Sequence, residues 1–274
     1  MNDARPPSAL TIAGSDSGGG AGIQADLKTF AAHRVHGLCA IAALTAQNTR
    51  GVSAVHVPDV GFLRAQIDAC FDDFDVVAVK LGMLATSAVI DAVADALETH
   101  KPRNVVLDPV MVATSGARLL QPDALDALRS RLLPLANVIT PNLPEAELLL
   151  GRPIQDHPAM LDAVRRLRDL GAPTVLLKGG HLHGSGAVVD LFADDSGVRE
   201  IAHPRLPIEA HGTGCTLASA IAATIANGLS VGDAVKDAQE YTWQTLKAAF
   251  RPGMGQHIPD RLFWAREDEP ADEV

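Results

Sequence analysis

The sequence predicts a single domain of the α/β class with a mostly parallel sheet. Short β-branched or apolar runs alternate with amphipathic segments along most of the chain, a rhythm typical of βαβ units. The chain has 274 residues, of which 47% are hydrophobic, enough for one large domain with a substantial core. We assign this domain to residues 1–266 and interpret the acidic residues 267–274 as a flexible tail.

The predicted elements follow the hydrophobic pattern in chain order. In the first half of the chain, strands are predicted at Ala9–Ala13, Leu38–Thr45, Val76–Leu81 and Val105–Leu107, and helices at Ile23–His33, Ser87–Glu98 and Ala124–Leu133. In the second half, strands are predicted at Val138–Thr140 and Val175–Leu177, with a helix at Met160–Leu170 between them and a hairpin at Ala187–Phe192 and Val198–Ala202. Two helices close the pattern, at Cys215–Asn227 and Val231–Phe250.

Composition excludes several classes of protein. The formal net charge is −10 and no dense Lys/Arg run interrupts it, so the chain has little electrostatic basis for gripping nucleic acid. The three cysteines, Cys39, Cys70 and Cys215, match neither a disulfide framework nor a zinc site, which favours a reducing compartment. No stretch has the apolar pattern of a signal segment or a membrane span. We therefore expect a soluble, cytoplasmic protein.

The first chemical feature is the glycine-rich segment from Ala13 to Gln24, which follows a predicted strand and opens a helix. Glycines let the backbone approach a bound group, and a helix start offers unpaired N–H donors. A dinucleotide fingerprint starting at Gly18 would need glycine where Ile23 stands, and a phosphate loop starting at Gly14 would need Lys-Ser or Lys-Thr at positions 20 and 21. The segment therefore predicts a ligand site of another kind, or else a plain strand-to-helix connection.

The second feature is the Gly-x-Gly turn that begins at His211 and leads into a helix of small residues. The backbone amides of Gly212, Thr213, Gly214 and Cys215 would point at one spot beyond the helix N-terminus, where the helix dipole favours negative charge. A transferring phosphoryl group could lie there. The alternative is that the glycines only shape a tight turn and Cys215 is a buried small hydrophobe.

Together the two glycine segments resemble the ribokinase-like superfamily, whose late motif ordinarily reads Gly-Ala-Gly-Asp. Cys215 replaces that Asp, and with the segment from Ala13 to Asp26 this is similar to the hydroxymethylpyrimidine phosphate kinase branch. Further matching segments lie between the two; they are residues 44–49, 80–83, 107–111, 140–145 and 177–181. The resemblance runs from about Leu10 to the region of Trp264. It departs at residues 253–259, where the family often has Gly-His-Gly-x-Gly-Pro.

This resemblance implies a three-layer ribokinase-like fold, with a mostly parallel central sheet and helices on both faces. The implied activity is ATP-dependent phosphorylation of 4-amino-5-hydroxymethyl-2-methylpyrimidine to its monophosphate and then to its diphosphate, in thiamin biosynthesis, with Mg²⁺ and in a homodimer. Pyridoxal kinase is the alternative within the fold, because it has the same architecture and a ring-borne hydroxymethyl acceptor. A catalytically silent binding protein is the alternative from another class, because the usual acidic base is missing at Cys215.

On the phosphate side, the resemblance implies that Glu145 helps to hold Mg²⁺, supported by Asn142, since Mg²⁺ prefers oxygen ligands and retains several waters. Residues 142–145 could equally be an ordinary helix start. Asp108 follows a predicted strand, where open α/β sheets place ligands, although it could be a turn aspartate before proline. Lys178 matches the family's phosphate-contacting lysine, against the alternative of a solvated surface lysine. Thr213, with Lys178 and Asn142, is assigned to ATP.

On the substrate side, the Gln47 amide suits the amino and ring-nitrogen edge of an aminopyrimidine, because it can donate and accept at once. Met83 and Val110 would wall the ring, although apolar residues in such places are more often plain core. By resemblance the other substrate-binding residues are Gly14, Ala21 and Asp26. Cys215 would face the accepting oxygen, with Lys178 and the 212–214 turn completing the catalytic group, and His211 would stand behind it.

Overall fold

The structure is a computed structural model that describes residues 5–113, 115–182 and 186–265. The predicted acidic tail, 267–274, lies outside these residues. Within them, none of the helices is long and apolar enough to cross a membrane.

A large, mostly parallel sheet forms the centre of the molecule. Its strands in the described part of the chain are β1 (Ser8–Asp16), β2 (His36–Asn48), β3 (Gly51–His56), β4 (Val76–Leu81), β5 (Val105–Leu107), β6 (Val138–Ile139), β7 (Thr174–Leu177), β8 (Ala187–Asp194) and β9 (Gly197–Pro204). Their order across the sheet is β3-β2-β1-β4-β5-β6-β7-β8-β9. The run from β2 to β7 pairs in parallel, whereas β3, β8 and β9 pair antiparallel with their neighbours. The predicted mostly parallel sheet is confirmed.

Helices cover both faces of the sheet. They are α1 (Gly22–Ala32), α2 (Val60–Asp73), α3 (Ser87–His100), α4 (Ala124–Ala127), α5 (Leu143–Leu150), α6 (His157–Asp169), α7 (Thr213–Ala226) and α8 (Val231–Lys247). One hydrophobic cluster contains residues of the five helices from α2 through α6 and strand residues such as Leu10 and Ile12. A second cluster contains residues of α1, α7 and α8 and the alternate strand residues, such as Ala9. Because successive side chains of a strand point to opposite faces of the sheet, one strand contributes residues to both clusters. The molecule therefore has three layers.

The predicted elements include neither β3 nor α2, because each buries little apolar surface, and α5 was anticipated only as a possible helix start at residues 142–145. Strand β3 is an edge strand in which no residue is fully buried, and α2 buries only Leu63 and Ile67. The predicted helix at 124–133 is also less regular than expected, since α4 runs into a π-helical segment, Leu128–Leu132, and a short 3₁₀ turn, Leu133–Leu135. Helix α8 ends at Lys247, before the predicted end, because the backbone of Phe250 pairs with Ile258 instead.

The sheet topology decides where a ligand can bind. From β1 the chain passes through α1 to β2 on one side, and the later parallel strands, β4 to β7, lie on the other side. Ligands of open α/β sheets bind beyond the carboxyl ends of the strands, near such a reversal of strand order.

Candidate active site

A cavity of about 850 Å³ opens at the carboxyl edge of the parallel strands, against the N-terminus of α7. It is lined by thirteen of the fourteen residues that the sequence assigned to the site; these are Gly14, Ala21, Gln47, Met83, Asp108, Val110, Asn142, Glu145, Lys178, Gly212, Thr213, Gly214 and Cys215. Residues separated by 200 positions in the chain thus meet at one edge of the sheet.

The carboxylate of Asp16 organises the first glycine segment. It accepts hydrogen bonds from the amides of Gly18 (2.8 Å), Gly20 (3.0 Å) and Ala21 (2.8 Å). Burial raises the pKa of Asp16, but the neighbouring His211 and the amides of Ala21 and Gly18 together lower it by more, so the net shift is downward. The loop is therefore built around an ionised carboxylate.

The second glycine turn starts α7 at the cavity wall. Gly212 is the N-cap and has a φ of +82°, a left-handed conformation that favours glycine, and no side chain caps the helix. The amides of the first turn therefore face the cavity without an intrahelical partner. A Cβ atom at Gly214 would lie 3.2 Å from Lys178 Nζ and 3.3 Å from Asp108 Oδ2, so the helix N-terminus directly adjoins these two charges.

Lys178 bridges two carboxylates at the strand ends. Its Nζ lies 3.1 Å from Asp108 Oδ1 and 4.0 Å from Glu145 Oε2, and Thr140 Oγ1 donates to the same Asp108 oxygen at 3.2 Å. Burial lowers the pKa of Lys178, but Asp108 and Glu145 raise it more, so that the ammonium stays charged. The alternative of a solvated surface lysine is wrong, because its side chain is only 16% exposed.

Asn142 and Glu145 form a capping box at the start of α5. The Glu145 amide donates to Asn142 Oδ1 at 2.9 Å, and the Asn142 amide donates to Glu145 Oε2 at 2.8 Å. The helix-start interpretation is therefore confirmed, and it also aims the Glu145 carboxyl at the cavity. Burial raises the pKa of Glu145 to about 7, although the positive charge of Lys178 acts to lower it.

These residues suit a magnesium ion held jointly with phosphate oxygens. No group of three or more His, Cys, Asp or Glu side chains in the described ranges could hold a metal alone. Two buried carboxyls, Asp108 and Glu145, do stand at the cavity edge, and Mg²⁺ is usually bound by one or two carboxylates with substrate phosphates and waters. The donor set fits that chemistry.

Asp26 is the one assigned residue that does not line the cavity. Its carboxylate is fully buried and accepts hydrogen bonds from Lys80 Nζ (2.8 and 2.9 Å), Thr11 Oγ1 (2.6 Å) and Ser219 Oγ (2.7 Å). Lys80 is also fully buried, and it reaches the cavity in place of Asp26. The expectation that Asp26 faces the substrate directly is therefore not met, since its ion-pair partner Lys80 lines the cavity instead.

Sequence reasoning assigned Lys80 no role, although a signal was available. A lysine between Val79 and Leu81 in a buried strand requires a buried acidic partner, because an unpaired buried charge is very costly. Burial lowers the pKa of Lys80, but the surrounding acidic groups, Asp26 first among them, together raise it more, and the net shift is upward. Lys80 therefore stays protonated beneath the site.

Cys215 lies near the Lys80–Asp26 pair and the Gly22 amide of the first glycine segment. Burial raises the pKa of its thiol, an effect that Lys80 and the Gly22 amide only partly oppose. The side chain is therefore a neutral thiol at neutral pH, located in the first turn of α7 and lining the cavity.

The opposite wall of the cavity is mixed polar and apolar. Thr45 Oγ1 lies 3.1 Å from Gln47 Oε1 and 2.9 Å from the Ser15 carbonyl oxygen. The backbone of Gln47 makes two hydrogen bonds with Ser17 Oγ. Met83 packs on Gly14, where a Cβ atom would come within 3.0 Å of the Met83 sulfur. Val110 packs against the small apolar cluster that contains Met83. This wall is suited to a flat ring with a polar edge.

His211 lies nearer to the cavity than expected. It lines the cavity wall, is only 5% exposed, and its Nε2 stands 3.7 Å from Asp16 Oδ2. The ring covers Gly20, where any side chain would overlap it. The sequence alone placed His211 behind the site, because a single histidine beside a turn does not reveal how far its ring lies from the cavity.

The fold and site together define a ribokinase-like small-molecule kinase. A parallel sheet ends in a cluster of charges that faces an uncapped helix N-terminus, which is an arrangement suited to phosphoryl transfer. Residues 16–260 match the family model described as phosphomethylpyrimidine kinase, and the chain belongs to this family.

Similar proteins agree with this assignment. The hydroxymethylpyrimidine/phosphomethylpyrimidine kinase of Rhizobium meliloti is 52% identical over 250 residues, which cover 90% of this chain and 93% of that protein. A thiamine biosynthesis bifunctional protein of Geobacter sulfurreducens is 48% identical over 95% of this chain, which spans only 53% of that longer protein.

Solved structures show the same fold. The phosphomethylpyrimidine kinase of Clostridium difficile is 41% identical, with a TM-score of 0.78 over 87% of this chain and 98% of that chain. The pyridoxal kinase of Bacillus subtilis, solved as an ADP complex, is 36% identical, with a TM-score of 0.86 over 94% of this chain and 98% of that chain.

Proposed function

We propose that this protein transfers the γ-phosphoryl group of ATP to 4-amino-5-hydroxymethyl-2-methylpyrimidine and then to the resulting monophosphate, as a step of thiamin biosynthesis. The observation that carries the proposal is a single cavity with a phosphate-binding end and a ring-binding end. The N-terminus of α7, Lys178 and Asp108 form the first end, and Gln47 and Met83 belong to the second.

At the phosphate end, Lys178 would neutralise ATP oxygens, with Thr213 and Asn142 close by. Asp108 and Glu145 would hold Mg²⁺ through oxygen ligands and waters, and the ion when bound supplies charge neutralisation on the phosphates. The amides of residues 212–215 would form an anion hole that needs no reorganisation, because α7 already presents them at the cavity wall.

At the ring end, Gln47 would pair with the amino and ring-nitrogen edge of the pyrimidine, while Met83 and Val110 pack against its faces. Gly14 and Ala21 would let the ring approach the backbone closely, as both line the same cavity. Asp26 would act at one remove, by holding Lys80 ionised below the acceptor.

The chemistry depends mainly on positioning and charge. In the first transfer, the hydroxymethyl oxygen bonds to the γ-phosphorus while the bond from that phosphorus to the β–γ bridging oxygen breaks. ADP leaves with the electron pair, and the hydroxyl proton passes to water. In the second transfer, the nucleophile is a phosphate oxygen that is already deprotonated. A neutral Cys215 thiol beside the acceptor is compatible with both, because it does not repel the anionic monophosphate.

Pyridoxal is the second candidate acceptor. The observation favouring it is the close structural likeness to pyridoxal kinases, including that of Staphylococcus aureus in complex with AMP-PCP and pyridoxal, at a TM-score of 0.87 and 31% identity. The polar Gln47 edge favours the aminopyrimidine.

An ADP-release assay with ATP and each acceptor tests the proposal. We expect rapid ADP formation with the pyrimidine alcohol and with its monophosphate, and little with pyridoxal. ADP formation no faster than in an ATP-only blank would support a silent binding protein instead. Faster turnover of pyridoxal than of the pyrimidine would reverse the order of the two substrates.

The homodimer expected from the resemblance stays a prediction, which light scattering can test.

A further inference from the structure

A buried arginine links the two glycine segments of the site. Arg261 lies in the C-terminal segment, far from both motifs in sequence, and only 4% of its surface is exposed. Its Nη2 donates to the Gly20 carbonyl at 2.7 Å and lies 3.3 Å from the Gly212 carbonyl, while its Nε donates to Thr216 Oγ1 at 3.0 Å. One guanidinium thus contacts the loop at the ring end and the turn at the phosphate end.

The two glycine segments touch at this point. A Cβ atom at Gly212 would overlap the Gly20 carbonyl oxygen and would come within 2.9 Å of Arg261 Nη2. The carbonyl oxygens of Gly20 and Gly212 lie 2.7 Å and 3.3 Å from the same Nη2 atom, so they converge, which is unfavourable unless a donor stands between them. Arg261 supplies that donor through Nη2, and the Nε of the same planar group, bound to Thr216 Oγ1, fixes the orientation of the guanidinium.

The charge of Arg261 has an unusual environment. Among the described residues, no carboxylate lies within ion-pair distance of its guanidinium, whereas buried arginines are normally paired. Its partners in the active-site turns are the Gly20 and Gly212 carbonyls and the Thr216 hydroxyl, and its Nη1 also lies 3.5 Å from the Pro259 carbonyl of its own segment. The backbone carbonyl of Arg261 also accepts a hydrogen bond from Tyr241 of α8 at 2.9 Å, which anchors the arginine from behind.

We propose that Arg261 is a positioning residue that sets the spacing between the acceptor loop, 14–22, and the anion turn, 212–216. In-line transfer needs the acceptor oxygen and the γ-phosphorus at a fixed separation, and displacement by about 1 Å can cost about a hundredfold in rate. The C-terminal segment, which departs from the usual family pattern at residues 253–259, thereby has a function in the site.

The kinetic test rests on the proposed function. Arg261→Lys keeps the stem and the charge but loses the fork, and Arg261→Met loses both. Arg251 offers a matched control, since it is an exposed arginine of the same segment that donates to the Gly255 and Met254 carbonyls and touches neither glycine turn. We expect both Arg261 variants to lower kcat by about 10- to 100-fold in both transfers, with the KM for ATP changed by less than about threefold, and Arg251→Met to match the parent.

Amide hydrogen exchange gives a readout that does not depend on activity. In Arg261→Lys, peptides covering residues 14–24 and 209–218 should exchange about tenfold faster than in the parent, while peptides from the rest of the sheet stay unchanged. If Arg261→Met fails to fold, the lysine variant alone decides.

Three results would overturn the inference: parental kcat in Arg261→Lys, unchanged exchange in both segments, or equally faster exchange throughout the chain, which would indicate a merely structural role. If the parent enzyme itself formed no ADP with either pyrimidine, the proposed function would fail, and the exchange comparison would still decide the role of Arg261.

Discussion

Lys178 Nζ lies 3.1 Å from Asp108 Oδ1, and this contact joins the ends of β7 and β5 across the intervening strand β6. The ammonium also stands 4.0 Å from Glu145, so one cation balances two buried carboxyls. These three charged side chains are suited to binding phosphate, because the ammonium can turn to phosphate oxygens while a metal ion takes its place beside the carboxyls.

Lys178→Met should lower kcat for both transfers on the order of a hundredfold, because both use the same ATP. Calorimetry without nucleotide should show that the pyrimidine still binds. Lys236→Met, on the exposed side of α8, is the control and should match the parent. Loss of pyrimidine binding with intact nucleotide affinity would mean that the two ends of the cavity are exchanged.

Glu145→Gln should raise the magnesium concentration needed for half-maximal activity. The glutamine oxygen can still accept from the Asn142 amide, so the helix cap survives while the charge is lost. Glu147→Gln, on the same helix but outside the cavity, serves as the control. An unshifted magnesium titration would remove Glu145 from the metal's surroundings.

Gln47→Leu should lower kcat/KM for the pyrimidine alcohol by about 10- to 100-fold and leave the KM for ATP nearly unchanged. The reason is that a polar edge of the ring would lose its partner, at a cost of about 1–3 kcal/mol. The exposed Gln121→Leu provides a comparison. Pyrimidine kinetics equal to those of the parent would exclude this assignment.

Cys215→Asp should keep a measurable first transfer and lose most of the second. A carboxylate there would face the monophosphate, and at about 4 Å with an effective dielectric near 20 one like-charge pair costs about 4 kcal/mol. Asp108 and Asp26 already disfavour a negative charge at this position.

The matched variants separate charge from shape. Cys215→Ser stays neutral and should retain both transfers, while Cys215→Ala should slow the first transfer more than the second. Each kcat/KM is measured separately, starting from the alcohol and from the monophosphate. If Cys215→Asp processed the monophosphate as well as the parent does, packing or geometry would have to explain the cysteine.

Asp16→Asn should destabilise the protein at neutral pH by about 1–3 kcal/mol, because three amides lose their ionised acceptor. The folded-state pKa of Asp16 is lowered, so its contribution is full above the unfolded value near about pH 4 and is lost as the pH falls through the folded value. Denaturant unfolding should therefore show a gap between parent and variant that narrows below about pH 4. Asp59→Asn, at an exposed N-cap where Asn serves equally well, should show little gap at any pH; a pH-independent gap for Asp16→Asn would contradict the charge argument.

The sequence by itself determined most of the elements and most of the site. Buried parallel strands such as Val105–Leu107 are continuous apolar runs, and the glycines around Gly18 and Gly212 mark backbone turns, so local chemistry is sufficient to locate them. Residues at strand ends, such as Asp108 and Lys178, could be expected to meet because parallel strands share one carboxyl edge.

Tertiary structure alone decided which side chains pair beneath that edge. Asp26 was expected at the substrate, but it is 54 residues from Lys80 in sequence and is drawn under the sheet edge because a fully buried ammonium needs a carboxylate. Arg261 reaches Gly20 across 241 residues of sequence, and no local pattern announces it. Hydrophobic periodicity reports the faces of single elements, whereas the distances between distant side chains are fixed only when the elements pack together.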